Sequence, residues 1–195
     1  MHPATLEDDA LLAQCELNKQ RTTGPGGQHR NKVETAVRLL HSPTGITAQA
    51  GERRSAVDNK RMALRRLRLA LAVEIRAPVP SGDAASPLWR SRIVAGPKQP
   101  PTQQDPVLRS LGVHLRSEEG AHPQGRIACN PEHHDYPALL AEALDFIAAA
   151  SWDHKPAALR LGVSPSQLVK LIKDHPPALL RLNAERAAHS LAALK

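Results

Sequence analysis

Apolar residues recur along this chain in two rhythms, and the change between them divides it. Residues 35–41 and 45–50 read as two strands, and Ser42-Pro43-Thr44-Gly45 between them supplies turn chemistry, so together they predict a hairpin. The rhythm then shifts. Across 52–76, Val57, Arg61, Leu64, Leu67, Leu71 and Ile75 fall at spacings of three and four, which predicts a helix whose apolar stripe covers the small sheet. Arg53, Arg54, Lys60, Arg65, Arg66 and Arg68 occupy its remaining faces. Upstream, 5–15 places Leu11, Leu12 and Cys15 at helical spacing behind Thr5 as an N-cap and acids in the first turn, predicting a short helix. Residues 16–22 alternate weakly and predict a strand that leads into a glycine-rich segment.

From Pro78 to about Glu132 the chain is crowded with Pro, Gly, Ser, Gln and Asp and has no sustained period, the behaviour of a linker. Leu88-Trp89 and Arg126-Ile127-Ala128-Cys129 are its candidate docking points. Helical spacing returns in 138–150, with Leu139, Leu140, Ala143, Leu144 and Ile147 on one side. Next, Ala158 precedes Gly162 by four residues among apolar Leu161, Val163, Leu168 and Leu171, the pattern of a helix-turn-helix in which Ser164 caps the second helix and Pro165 opens it. A final helix is predicted over 183–194. The reading is an α+β chain in three parts: a small mixed unit with a hairpin and packing helices (1–77), a Pro-rich linker (78–132), and a separate, mobile all-α bundle (133–195).

Charge sharpens the division. Residues 16–76 hold 13 basic against 5 acidic side chains, a net +8, whereas 1–15 carry −3 and 137–195 carry 7 against 5. A basic block confined to one unit points to a nucleic-acid partner. Aromatics make up only 2% of residues, so stacking of bases on exposed rings is not the main route to that partner. Cys15 and Cys129 stand far apart with no paired spacing, the usage of a reduced cytosolic protein. No apolar run approaches membrane-spanning length and no leader opens the chain, so a cytoplasmic monomer without membrane contact is expected.

The chemistry gathers in Arg21-Thr22-Thr23-Gly24-Pro25-Gly26-Gly27-Gln28-His29-Arg30-Asn31-Lys32. Glycines without a Cβ let a ligand approach the backbone, Pro25 stiffens one position, and the flanking cations suit phosphates. Taken alone, Gly-Pro-Gly-Gly also fits an ordinary surface turn, but that leaves Gln28 unexplained. This loop, followed by Asn31-Lys32, Thr44-Gly45-Ile46, Arg54-Ser55 and Asn59, resembles the catalytic domain of bacterial class I peptide chain release factors, over about residues 16–76.

The resemblance implies a loop that enters the ribosomal peptidyl transferase centre and cleaves the ester joining a nascent peptide to transfer RNA. Water is then the nucleophile, the Gln28 side chain coordinates it, and the Gln28 backbone N–H stabilises charge developing on oxygen. An amide is no general base at neutral pH, so Gln28 positions, ribosomal RNA completes the site, and the isolated protein is inert. Gly26, Gly27 and Gln28 are the catalytic candidates, and Gln28 is a candidate for amide methylation by a glutamine methyltransferase, as in the family. Arg21, Arg30, Lys32, Arg53, Arg54, Arg65 and Arg66 are the candidate RNA contacts. The implied partners are the large-subunit RNA and peptidyl-tRNA, with no cofactor. His29 is read as an RNA contact rather than a proton shuttle.

Only about 20 residues precede the loop, and none resembles a stop-codon-reading domain, so codon-independent hydrolysis on terminating or stalled ribosomes is expected. Codon-independent relatives carry a strongly basic tail, and the last 22 residues here do not. Two other readings stay open: a helix-turn-helix regulator of DNA, and a ribosome-binding factor without hydrolysis. Lys170 and Lys173 offer the predicted second helix few groups for base edges, which favours a packing motif. His133-His134-Asp135 with Cys129 and His122 has no fixed ligand spacing, so no metal site is expected.

Overall fold

The structure is a computed structural model and describes residues 2–21, 34–79, 85–94 and 125–195. It is mixed α and β. Strands β1 (Cys15–Gln20), β2 (Ala36–His41) and β3 (Thr47–Ala50) form an antiparallel sheet in the order β1-β2-β3. Along β2 the inward positions Val37, Leu39 and His41 are buried while Arg38 and Leu40 point outward, the two-residue alternation of a sheet covered on one face. The turn after β2 is closed by Gly45 N–H donating to His41 O at 2.8 Å, and Gly45 sits at φ 71, where a Cβ would be strained. The hairpin predicted from the sequence is therefore present, with its second strand starting two residues later.

The cover is α2 (Ala56–Glu74), capped by Ser55, whose hydroxyl accepts from Asp58 N–H at 3.3 Å. Buried Ala63, Leu64, Leu67 and Leu71 pack it against β2 and β3. Val57 and Arg61, assigned to the apolar stripe by spacing, are exposed instead. The segment before β1 is not one helix over 5–15. It forms a 3-10 turn (Pro3–Thr5) and a five-residue helix α1 (Asp8–Leu12). Thr5 spends its hydroxyl on His2 O at 2.7 Å instead of capping, and Arg68 on α2 holds this segment by donating to Ala4 O and Asp8.

Helix α4 (Tyr136–Ala149) packs on another side of α2, and its buried face joins the same core. Helices α5 (His154–Arg160), α6 (Pro165–Lys173) and α7 (Pro176–Ala188) follow. Gly162 turns between α5 and α6 at φ 70, and the Ser164 hydroxyl accepts from Gln167 N–H at 3.3 Å, as the helix-turn-helix pattern predicts. Ala157, Ala158, Leu161, Val163, Leu168 and Leu171 are all buried. The last helix begins seven residues before the predicted 183, because Pro176 and Pro177 are tolerated in a first turn, where an N–H has no intrahelical partner. It ends at Ala188 with His189 as its C-cap, and Ser190 takes φ 58. The chain then folds back, with Asn183 and Leu194 exchanging two hydrogen bonds and Arg186 donating to Ala192 O and Trp152 O.

Between these parts, the described stretch 85–94 contains helix α3 (Pro87–Arg92) and strand β4 (Ile93–Val94), which pairs with β5 (Arg126–Ile127). Trp89 is fully buried and its Nε1–H donates to Leu161 O at 2.9 Å, at the helix-turn-helix turn. Both predicted docking points, Leu88-Trp89 and Arg126–Cys129, thus carry contacts to neighbouring elements. Among the described residues no helix is long and apolar enough to cross a membrane.

Candidate functional site

The register of β1 and β2 runs as far as the pair Gln20 and Ala36, so the glycine-rich segment connects two adjacent antiparallel strands at one end of the sheet. Residues 22–33, and with them Gly26, Gly27, Gln28, Arg30 and Lys32, lie outside the described residues. The flanks are described. Arg21 Nε lies 3.4 Å from Glu34 Oε1 across the two flanks, with both side chains well exposed. An exposed pair of this kind contributes about 0–1 kcal/mol, so it does not by itself hold the ends together.

A buried amide sits closer to the centre of the arrangement. Asn59, in the second turn of α2, is fully buried. Its Oδ1 accepts from Arg53 N–H at 2.9 Å, and its Nδ2 donates to Arg53 O at 2.9 Å and to Thr35 O at 2.7 Å. One side chain therefore ties the residue before β2 to the segment 51–55 that precedes α2. That segment exposes the Arg53 and Arg54 side chains, as expected for groups that meet phosphate.

The other two candidate arginines on α2 are engaged within the chain. Arg65 donates to Pro131 O at 2.7 Å and pairs with Glu132 at 2.8 Å, which links α2 to the approach to α4. Arg66 donates to Gln49 O at 2.7 Å and pairs with Glu52 at 2.8 Å, and this guanidinium holds the Glu52 carboxyl below its usual range. Arg38, which the sequence reading passed over, lies exposed on the open face of the sheet between Asn18 and Gln49, with no acid in register beside it. Its signal was the strand alternation, which turns it away from Val37 and Leu39.

His133, His134 and Asp135 do come together, with donor atoms within 4.8 Å of one another. Their bonding is internal to the protein. Asp135 Oδ2 accepts a hydrogen bond from Arg92, and His133 Nδ1 accepts from Asp135 N–H at 3.2 Å. A guanidinium already seated on the carboxylate opposes a second cation there. Neither cysteine has a disulfide partner, and burial pushes both thiols up, away from the reactive thiolate.

Residues 11–84 match the RF-1 domain family. The chain is 42% identical over 73 residues to peptide chain release factor 1 of Acidiphilium cryptum, covering 37% of this chain and 21% of that protein. It is 42% identical over 84 residues to the chloroplastic peptide chain release factor PrfB1 of Arabidopsis thaliana, covering 40% and 18%. It is 38% identical over 74 residues to the mitochondrial peptide chain release factor 1 of Bos taurus, covering 38% and 17%. The chain thus spans about a fifth of the length of these relatives.

Proposed function

We propose that this chain, a class I release factor-like protein by virtue of its RF-1 domain, hydrolyses the ester of peptidyl-tRNA on the ribosome without reading a codon. Water attacks the ester carbonyl carbon, the bond to the transfer-RNA 3′ oxygen breaks as that oxygen takes up a proton given by the water, and the peptide leaves as a carboxylic acid. Gln28 orients the water and its backbone N–H meets the developing oxyanion, while Gly26 and Gly27 let the ester approach. The observation that carries this reading is the antiparallel β1–β2 stem, closed at Gln20 and Ala36, beside the exposed Arg53 and Arg54. It supports a glycine loop held at one end of a small basic unit, where phosphates of large-subunit RNA would flank it. We assign hydrolysis to residues 1–77 and a positioning role on the ribosome to 133–195, with the protein acting in the cytoplasm and Gln28 open to methylation.

The deciding experiment supplies purified protein to ribosomes carrying peptidyl-tRNA, with stop, sense or no codon in the A site, and measures released peptide. Release that is equal across the three supports the proposal. Release confined to stop codons removes codon independence, and none at all removes the activity.

The basic segment makes a second prediction. Reversing Arg53 and Arg54 to Glu is expected to raise the protein concentration needed for half-maximal release at least about tenfold at moderate salt, because each phosphate contact made releases counterions. The wild-type requirement should itself rise steeply with salt. Arg65→Glu and Arg66→Glu should weaken binding less, since both guanidinia are held by Glu132 and Glu52 and by backbone carbonyls. Titrating release against protein at several salt concentrations checks each statement, and a salt-insensitive midpoint would contradict the phosphate contacts.

A further inference from the structure

We infer that Asn59 is a positioning residue for the proposed hydrolysis, fixing the Thr35 end of the glycine loop and the Arg53–Arg54 segment as one unit that meets RNA together; the inference rests on the function proposed above. Three observations converge. Asn59 is fully buried, at a site flanked by exposed polar chain, where an apolar residue would be the cheaper filling. Its amide orientation is determined by its neighbours, because Oδ1 faces an N–H and Nδ2 faces the two carbonyls of Thr35 and Arg53. Its partners are distant in sequence, 24 residues back for Thr35 and 6 for Arg53, so it joins segments that the helix and the sheet do not join.

The geometry gives the tie a direction. Thr35 adjoins Ala36, the first residue of β2, whose partner Gln20 ends β1. The strand pairing therefore fixes the two strands up to that rung, and beyond it, among the described residues, the exposed Arg21–Glu34 pair and the Asn59 bond act on the flanks. Asn59 itself stands on α2, the most extensively packed helix of the unit, so Thr35 and Arg53 are referenced to rigid core. A reaction that depends on placing one amide and one backbone N–H within a hydrogen bond's tolerance needs such a reference.

Asn59→Asp keeps the acceptor for Arg53 N–H but sets a carboxylate against two carbonyls, Asn59→Ala removes all three bonds, and Asn59→Ser retains a smaller donor as the mildest change. Leu168→Ala, in the buried face of α6, serves as a variant destabilised away from the loop. Each is assayed for peptide release on peptidyl-tRNA ribosomes at a temperature where circular dichroism shows it folded. The expected result is a fall of at least about tenfold in release rate at saturating Asn59→Ala or Asn59→Asp, with less than about a threefold change in half-saturating concentration, because the Arg53 and Arg54 charges remain. Asn59→Ser should fall between them and wild type, and Leu168→Ala should keep the wild-type rate at saturating protein whatever its half-saturating concentration, because 133–195 is assigned placement on the ribosome and not hydrolysis. A folded Asn59 variant with the wild-type rate, or an equal loss in Leu168→Ala, overturns the assignment.

Limited trypsin digestion gives a readout independent of hydrolysis. Cleavage after Arg53 and Arg54, whose backbone Asn59 holds, should accelerate at least about fivefold in Asn59→Ala and not in Leu168→Ala, since local opening governs proteolysis. If the wild-type chain releases no peptide, the functional reading falls while the digestion still decides the tie: acceleration specific to Asn59 supports it, and unchanged cleavage overturns it.

Discussion

A Gln28→Ala chain is expected to lose at least about 10²-fold in the rate of peptide release on ribosomes, the scale associated with removing one preorganised group from a site of developing charge. The loss should be in rate and not in binding, because the substitution removes no charge from the basic block. The backbone N–H of residue 28 survives the substitution, so a measurable residual rate is expected. Gly27→Ala should lose rate by a different route, since a Cβ placed beside that N–H obstructs the close approach of the ester. Stability should change by no more than about 0.5 kcal/mol in Gln28→Ala, as usual for a substitution in the kind of exposed loop the sequence predicts there. Single-turnover release with saturating protein, together with thermal melts, checks both halves. Wild-type hydrolysis by Gln28→Ala would remove the catalytic assignment.

The parts of this molecule that were legible in the sequence are those whose physics is local. The hairpin followed from a turn segment between two β-rich runs, and α2 followed from three-and-four spacing with Ser55 as a cap. The α5–α6 turn followed from Ala158, Gly162 and Ser164, each of which has one local task. What failed depended on distant partners. Thr5 looked like a cap until His2 claimed its hydroxyl, and His2 in turn is fixed by Ile75 O, 73 residues away. Burial lowers the His2 pKa, in keeping with a neutral ring whose Nδ1 accepts from Ala4 N–H and whose Nε2–H donates to Ile75 O.

The contact of α4 with α2 was beyond local reading in the same way. Periodicity shows that α2 and α4 each have an apolar face, but not that the two faces meet. Trp89, expected as a docking point, sits on a helix that the linker-like composition concealed, although Ser86-Pro87 ahead of it is a helix-start signal. At the site, the glycine loop lies outside the described residues, while the exposure of Arg53 and Arg54 could be read directly. The fate of Arg65 and Arg66 could not, because long side chains reach carbonyls and carboxylates that only the fold brings near. Asn59 was visible as part of a motif, yet its work became apparent only with Thr35 beside it.

Asp145→Ala is expected to give the largest loss of stability. Asp145 lies on the buried face of α4, and its Oδ1 accepts from Arg76 Nη1 at 3.2 Å and from Ala77 N–H at 3.0 Å. It thereby fastens the chain leaving α2 to the helix that covers α2. Burial disfavours both charges, pushing the Asp145 carboxyl up to about 6 and drawing the Arg76 guanidinium down, so the pair is costly to bury even while each partner needs the other. Removing the carboxylate leaves Arg76 with the carbonyls of Ala72 and Val73 and only the weaker influence of the exposed Glu74 as countercharge, and leaves Ala77 N–H without its acceptor. Breaking a buried pair in this way costs about 3–5 kcal/mol, and at about 2–4 °C per kcal/mol the melting temperature should drop by roughly 10 °C. The side-chain amide of an Asp145→Asn chain can still accept both hydrogen bonds, so its loss should be smaller. The pH dependence separates the two effects. A carboxyl whose folded pKa of about 6 exceeds its unfolded value of about 4 binds a proton more readily when folded, so its favourable contribution is complete below about pH 4 and is lost as pH rises through 6. Relative to Asp145→Asn, the wild-type chain should therefore gain stability between pH 7 and pH 4. Denaturant melts of both chains across that window test it, and parallel pH profiles would show that Asp145 is not held above its ordinary pKa.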